Sequence, residues 1–533
     1  MERAVYSLLT FTEDSSAIVS AMKISMQKIP CGVLAIAALL AFGRARCFAG
    51  ETPVRIVRID YEISGSLWKI KKAALEKELL IDTKRNFSGE DELASYLAMK
   101  ERNLRDNRSI QESAGISYSL LEAEDGFIPA AVTVRAENSR TFIAAPYPKY
   151  SSSKGFEAKI KLKDSNFLGS LFPLEGEVSY LLPPSDSEKP QAFNTALAGG
   201  YIFPLKNGFA SPWFSGRYTF KRTDDRYKRN SGFVSGGTDF LFPVNGTVSL
   251  AAGLSAGLVY DSDVPEDFPY VSFSASAAVP LLLAETPRAG KIRFTPKITF
   301  TQNVSFHGAD GTMSLPDYGN LKSPSAALGA ELSLGSVHWK ENFRDGFSLC
   351  ASVSFQNCFS EFSQSVSSSV QAELHKAFSR NGISIRGTFL AGRTEQKIGR
   401  TEDAALTDFV RGIGVQERAA FYDTDFAFVV NMDFPVRIFS TRRKKNGTER
   451  LLDFEIHASP FADIACARFG PEDGRIIGGI CTAGLELVCW PLSFRSIQLR
   501  ASFGKDFSGM IFPSARSRPG SSHELTIGIG LFF

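Results

Sequence analysis

From Gly155 to the last residue, apolar and polar side chains alternate in run after run, and no other feature narrows the possible folds so far. In the first such run Phe156, Ala158, Ile160 and Leu162 interleave with Glu157, Lys159, Lys161 and Lys163. A β-strand sends successive side chains to opposite faces, so this strand has one apolar face and one face of charges. The charges need water, and the apolar face needs a non-aqueous neighbour. A barrel with a wet lumen and a lipid-facing exterior supplies both. The last run has the same form: Leu525, Ile527, Ile529, Leu531 and Phe533 alternate with Thr526, Gly528 and Gly530. A mean hydropathy of -0.06 does not oppose this, because alternation hides a membrane surface from any average, and 44 phenylalanines suit lipid-facing walls and interfacial girdles.

Seventeen strand-like runs can be placed between Gly155 and Phe533, with tight turns marked by Asn207-Gly208, Asn245-Gly246, Asn381-Gly382 and Asn446-Gly447. Closed barrels of this type have an even number of strands, so one run between Lys291 and Gly392 is expected to fail. The expected fold is an all-β transmembrane barrel of 16 antiparallel strands over 155–533. The closing seam is expected where the last strand meets the first, at Phe156 and Ile160 on one side and Ile529, Leu531 and Phe533 on the other.

Ahead of the barrel, residues 1–49 read as an N-terminal extension and a secretory signal peptide, with Lys23 and Lys28 before the apolar run Cys31 to Phe42 and small residues near Ala49. Met22 is the expected initiator. Residues 50–145 read as one small α+β domain: a strand at Val54–Ile63, a helix after Ser66, a second helix after Ser88, and strands at Gly115–Leu121 and Ala130–Ala136. Residues 146–154, with Pro146, Pro148 and serines at 151 to 153, read as a linker. The five cysteines beyond the signal segment match no zinc spacing.

Two short stretches carry the expected site. Asp408-Phe409-Val410-Arg411-Gly412-Ile413 lies in a polar segment between strands, and Phe461-Ala462-Asp463-Ile464-Ala465 lies on a strand, with Phe461, Asp463 and Ala465 on one face. An arginine folded into a lumen requires a counter-charge, and Asp463 is the candidate. In order and spacing these stretches resemble the paired signatures of the BamA/TamA/FhaC-type outer-membrane assembly and secretion barrels: Val-Arg-Gly-aromatic at an inward loop tip, and Phe-x-Asp-x-Gly on a nearby strand. Ile413 replaces the aromatic and Ala465 the glycine. Asp164-Ser165-Asn166-Phe167-Leu168-Gly169 resembles the turn after that family's first barrel strand. The resemblance implies that Val410, Arg411, Gly412 and Ile413 form a lumen loop tip pinned by Phe461 and Asp463. It further implies that residues 50–145 are a single POTRA domain, that the C-terminal Phe533 belongs to a targeting signal, and that clients pass at the first-to-last strand seam.

The function expected on this basis is assembly or translocation of client polypeptides in a bacterial outer membrane, with the N-terminal domain in the periplasm. Passive porin and surface-exposed structural or adhesin barrel are the alternatives. Expected partners are outer-membrane lipids, unfolded client polypeptides and periplasmic accessory proteins. A net charge of +3 gives no reason to expect nucleic acid. No enzyme, cofactor or metal is expected: Gly253-Leu254-Ser255-Ala256-Gly257 lies within a strand rather than at a strand-to-helix elbow, and histidines 307, 338, 375, 457 and 523 show no ligand spacing.

Overall fold

The computed structural model describes residues 52–529, except for 66–67, 112, 124–125, 140, 147–148, 152–154, 184–189, 224–226, 263–268, 287–289, 308–311, 315–322, 360–362, 394–409, 412–425, 442–452, 470–475, 493, 495–497 and 513–522. The expected signal segment, Gly412, Ile413, Leu531 and Phe533 therefore lie outside the described residues.

The N-terminal domain runs β1 (Val54–Ser64), α1 (Lys72–Leu79), β2 (Asn86–Phe87), α2 (Glu90–Asp106), β3 (Gly115–Leu120), β4 (Ile128–Glu137). Its sheet has the order β2-β1-β4-β3, with β1 parallel to β4 and the other pairs antiparallel. Leu75 and Leu79 of α1, Leu93, Leu97 and Leu104 of α2, and Ile56, Val132 and Val134 of the sheet form the core. Ser66 lies outside the described residues and α1 begins at Lys72 with Lys71 as its N-cap. At α2 the N-cap is Gly89, and the Glu92 carboxylate reaches back to accept from the Ser88 amide at 2.7 Å and its hydroxyl at 2.9 Å. Only one half of a capping box forms: the acid reaches back, while no N-cap side chain accepts from an amide of the first turn.

The larger sheet begins with β5 (Phe142–Pro146), β6 (Lys149–Ser151), β7 (Gly155–Asp164), β8 (Leu174–Leu182) and β9 (Gln191–Gly200). It continues through β10 (Phe203–Leu205), β11 (Gly208–Thr223), β12 (Tyr227–Pro243), β13 (Ser249–Asp261), β14 (Tyr270–Ala278), β15 (Leu281–Thr286) and β16 (Gly290–His307). Then come β17 (Thr312–Ser314), β18 (Ser325–Lys340), β19 (Phe343–Cys358), β20 (Ser363–Ala377), β21 (Gly382–Arg393), β22 (Phe426–Asp433) and β23 (Val436–Ser440). The last are β24 (Phe454–Phe469), β25 (Ile476–Pro491), β26 (Leu499–Asp506), a one-turn helix α3 (Ser508–Ile511) and β27 (His523–Ile529). Pairing runs round the sheet in chain order, β27 lies beside β5 and β6, and β9 pairs β11, so the ladder closes on itself.

Among the described residues the wall has 23 segments, and in five places two successive segments pair with one neighbour as a single interrupted strand: β5/β6, β9/β10, β14/β15, β17/β18 and β22/β23. The wall therefore has eighteen strand positions rather than the expected sixteen. All seventeen runs read from the sequence fall on strands, including every one between Lys291 and Gly392. The missing strand is β5 with β6, which both pair β7 and place Pro146 and Lys149–Ser151 of the expected linker 146–154 in the wall. Even parity is reached by adding a strand. Its disguise is physical: proline removes a ladder donor and reads as a strand breaker, yet Pro146 is the last residue of β5, paired with Ile160. Phe156 and Ile160 on β7 consequently lie one strand in from the seam, which falls between β27 and β5/β6.

Outward side chains form an exposed apolar belt, with Ile160 at 59%, Leu254 at 60% and Val234 at 68% exposure. Exposed aliphatic surface on that scale requires lipid or a partner to cover it. Among the described residues no helix is long and apolar enough to cross a membrane.

Candidate functional site in the barrel lumen

The burial of β24 alternates along its length, and Glu455, His457, Ser459, Phe461, Asp463, Ala465 and Ala467 form its inward face. Asp463 sits opposite Asn431 of β22 and Thr482 of β25, with its side chain wholly buried. Arg411 meets it with three hydrogen bonds: the backbone amide and Nε donate to Asp463 Oδ2 at 2.9 Å each, and Nη2 donates to Oδ1 at 2.8 Å. Arg411 Nη1 donates to Asp433 Oδ1 at 2.7 Å and lies 4.0 Å from Glu486 Oε2. Removing a guanidinium and a carboxylate from water is costly, and only fork-on-fork geometry with further hydrogen bonds offsets that cost. This geometry meets that condition.

Apolar packing fixes the same residue from two sides. Val410 is buried among Ala427, Val429, Ala465, Ala467 and Ile480. The Arg411 guanidinium carbon stands 3.9 Å from the centroid of the Phe461 ring, a cation–π stack. Beneath that ring lies Gly484, Phe461's cross-strand partner. A β-carbon there would run into the Phe503 carbonyl oxygen and come within 2.6 Å of the ring. Only glycine leaves room for the Phe461 ring to lie across the strand.

The structure thus brings Val410, Arg411, Phe461 and Asp463 together. Phe156 and Ile160 lie elsewhere, on the lipid face of β7, and Ile529 ends β27. Sequence reasoning missed Asp433, Glu486 and Gly484. The carboxylates stand at inward positions of β22 and β25, and a lone acidic residue in phase with the buried side of a strand was the available signal.

A second cluster lies where the N-terminal domain meets the barrel rim. Ile202 and Phe209 of the barrel belong to the domain's own apolar core, with Leu171 and Phe172 packed against it. The Lys71 amide donates to the Gly169 carbonyl at 2.7 Å, and Asn166 Nδ2 to the Trp68 carbonyl at 2.8 Å, so the Asp164–Gly169 turn holds the domain. Asp106 at the end of α2 pairs with His338 and accepts from the Trp339 amide at 3.1 Å. The Arg108 guanidinium lies 4.4 Å from the Trp339 ring centroid and 5.0 Å from that of Trp490, and donates to Asn342 Oδ1 at 2.9 Å. Lys100 and Glu285 are also buried against each other, but at 3.7 Å, and Glu285 Oε1 accepts no hydrogen bond among the described residues. Burial pushes Lys100 down to about 8 despite the Glu285 charge beside it.

The fold and its lumen define a transmembrane β-barrel with a soluble domain seated on one rim. No family model and no curated protein matches the chain. Solved structures are similar to it: CdiB from Acinetobacter baumannii, at 11% identity over 90% of this chain and 74% of that one, with a TM-score of 0.47; CdiB from Escherichia coli, at 12% identity, 90% and 77%, and 0.43; and BamA from Haemophilus ducreyi lacking POTRA domains 1-3, at 13% identity, 91% and 86%, and 0.38. Identities and TM-scores this low leave the functional reading to rest on the chain's own geometry.

Proposed function

We propose that this chain is an outer-membrane protein that inserts or exports polypeptide clients, with residues 52–138 as a single POTRA-like periplasmic domain. The observation that carries this reading is the Arg411 anchor. A passive pore gains nothing from a guanidinium buried in its lumen and fixed to the wall by three hydrogen bonds to one aspartate. A barrel that must hold a loop inward while its own wall rearranges around a client does. The order of helices and strands, with β1 parallel to β4, supports the POTRA-like assignment. In this reading β3, whose one strand neighbour among the described residues is β4, takes an extended client by strand addition, using backbone groups and so accepting many sequences. The client then reaches the seam between β27 and β5/β6, and the exposed belt contacts outer-membrane lipid. Periplasmic accessory proteins would meet the domain on surfaces away from the rim.

Depleting the protein in its own cell and quantifying outer-membrane barrels and exported proteins tests this. Broad loss of barrels establishes insertion, and loss of one exported protein establishes a dedicated secretion channel. Unchanged levels of both contradict the proposal and leave a pore or a surface protein.

A further inference from the structure

Two arginines from distant parts of the chain are held by the same pair of strands. Arg108 of the domain stacks on Trp490 of β25 and bonds Asn342, which in turn donates to Glu455 Oε2 of β24 at 2.8 Å. Arg411 of the lumen loop bonds Asp463 of β24 and neighbours Glu486 of β25. Trp490 and Glu486 are two inward positions apart on one strand, roughly 13 Å at a rise of about 3.3 Å per residue. Between the anchors the inward column is His457, Ser459 and Phe461 on β24, paired with Val488, Glu486 and Gly484 on β25. Phe343 stacks on His457 with centroids 4.6 Å apart, and His457 packs against Trp490 at 6.0 Å.

This column is tightly packed but poorly hydrogen-bonded. Among the described residues Ser459 Oγ, Thr482 Oγ1 and Trp490 Nε1 are buried without a hydrogen-bond partner. Buried polar groups left unpaired disfavour the arrangement that buries them, which lowers the cost of repacking this column. Packed side chains do not deform continuously, and a displacement at one end is passed on as a repacking.

We propose that docking of the soluble domain and anchoring of the Arg411 loop are coupled through the inward column of β24 and β25, so that withdrawing Arg108 from its tryptophan bracket loosens the loop anchor, and loosening the anchor frees the domain. This rests on reading Arg411–Asp463 as the loop's anchor. It gives a client bound to the domain a route to the lumen without touching it. The coupling is reciprocal: each event shifts the other equilibrium by the same factor.

Hydrogen exchange on the full chain in lipid nanodiscs tests the proposal, read at the peptide containing Arg411, whose amide Asp463 accepts, and at the C-terminal half of α2. Arg108→Ala should raise opening at the Arg411 peptide by at least about fivefold, and Asp463→Asn should raise it at α2 by the same factor. Lys77→Ala, which removes a 2.7 Å bond to Ser211 on the far side of the rim, should leave the Arg411 peptide unchanged. If Arg108→Ala frees α2 while the Arg411 peptide keeps its wild-type exchange, the two anchors are independent and the coupling is overturned. If Asp463→Asn leaves the Arg411 peptide itself unchanged, the anchor reading fails instead. Variants whose barrels lose SDS resistance are replaced by Trp490→Phe and Asp433→Asn, for which the same two outcomes decide.

Discussion

Two of the buried cation–carboxylate contacts among the described residues, Arg411–Asp463 in the lumen and Lys100–Glu285 between domain and barrel, are built differently. Arg411 and Asp463 meet through three hydrogen bonds of 2.8–2.9 Å, with a ring stacked on the guanidinium and a second carboxylate on its free edge. Lys100 and Glu285 are as deeply buried but stand 3.7 Å apart, and the facing carboxylate oxygen has no hydrogen bond among the described residues. The first has the geometry in which Coulomb attraction offsets desolvation, and the second lacks it. Val410 and Arg411 are therefore held in a defined position. The domain is seated largely by apolar packing and the Arg108 bracket, against an electrostatic cost that makes its release easier.

Breaking the strong pair should have the largest effect. Asp463→Asn leaves a buried guanidinium short of its main counter-charge and should destabilise the anchored state by about 3–5 kcal/mol, seen as proteolytic release of the loop from an otherwise folded barrel. Exchanging the charges, Arg411→Asp with Asp463→Arg, should rescue little. The new aspartate would face Asp433 and Glu486, both already beside position 411. Full rescue by the exchange would show that those two carboxylates do not act on Arg411.

Gly484→Ala should act through shape alone, costing roughly 1–3 kcal/mol because the new methyl group overlaps the Phe503 carbonyl and the Phe461 ring. Trypsin cleavage at Arg411 should rise in this variant with every charge intact. No rise would mean that the ring stack contributes nothing.

The weak pair should respond in the opposite sense. Lys100→Met with Glu285→Leu replaces a poorly bonded ion pair by apolar contact and should hold the domain as tightly or tighter, by up to about 4 kcal/mol, measured as slower exchange in α2. Faster exchange would mean that the pair attracts more than it costs. The smallest effect is a pH dependence. Undocked, Lys100 would titrate near its ordinary 10.5, whereas in the docked state it lies near 8, held there by burial, with Glu285 opposing and Lys291 and Arg85 adding to the shift. The undocked state thus binds more protons between these values, so docking should strengthen as pH rises from about 8 towards 10.5 and be flat below. Lys100→Met should abolish that rise.

Much of this architecture was legible because a barrel wall repeats one rule, side chain in and side chain out, and each run such as Phe156–Lys163 carries the rule locally. Phe142–Ser151 escaped because prolines and serines imitate a linker when the neighbouring strand cannot be seen. Val410, Arg411, Phe461 and Asp463 were legible through paired motifs and charge balance. The dock was not. Arg108 and Asn342 are 234 residues apart, as are few contacts that a periodic pattern can announce, and Arg108, Trp339 and Trp490 belong to no local motif.

The most direct measurement is reconstitution of the full chain in proteoliposomes, following how fast an added unfolded outer-membrane barrel client becomes protease-protected. Wild type should accelerate protection over empty vesicles, and Asp463→Asn, with its own barrel folded, should lose at least about tenfold of that acceleration. Equal acceleration by wild type and Asp463→Asn, or none by wild type for either a barrel client or an exported one, would contradict a client-handling role for the anchored loop.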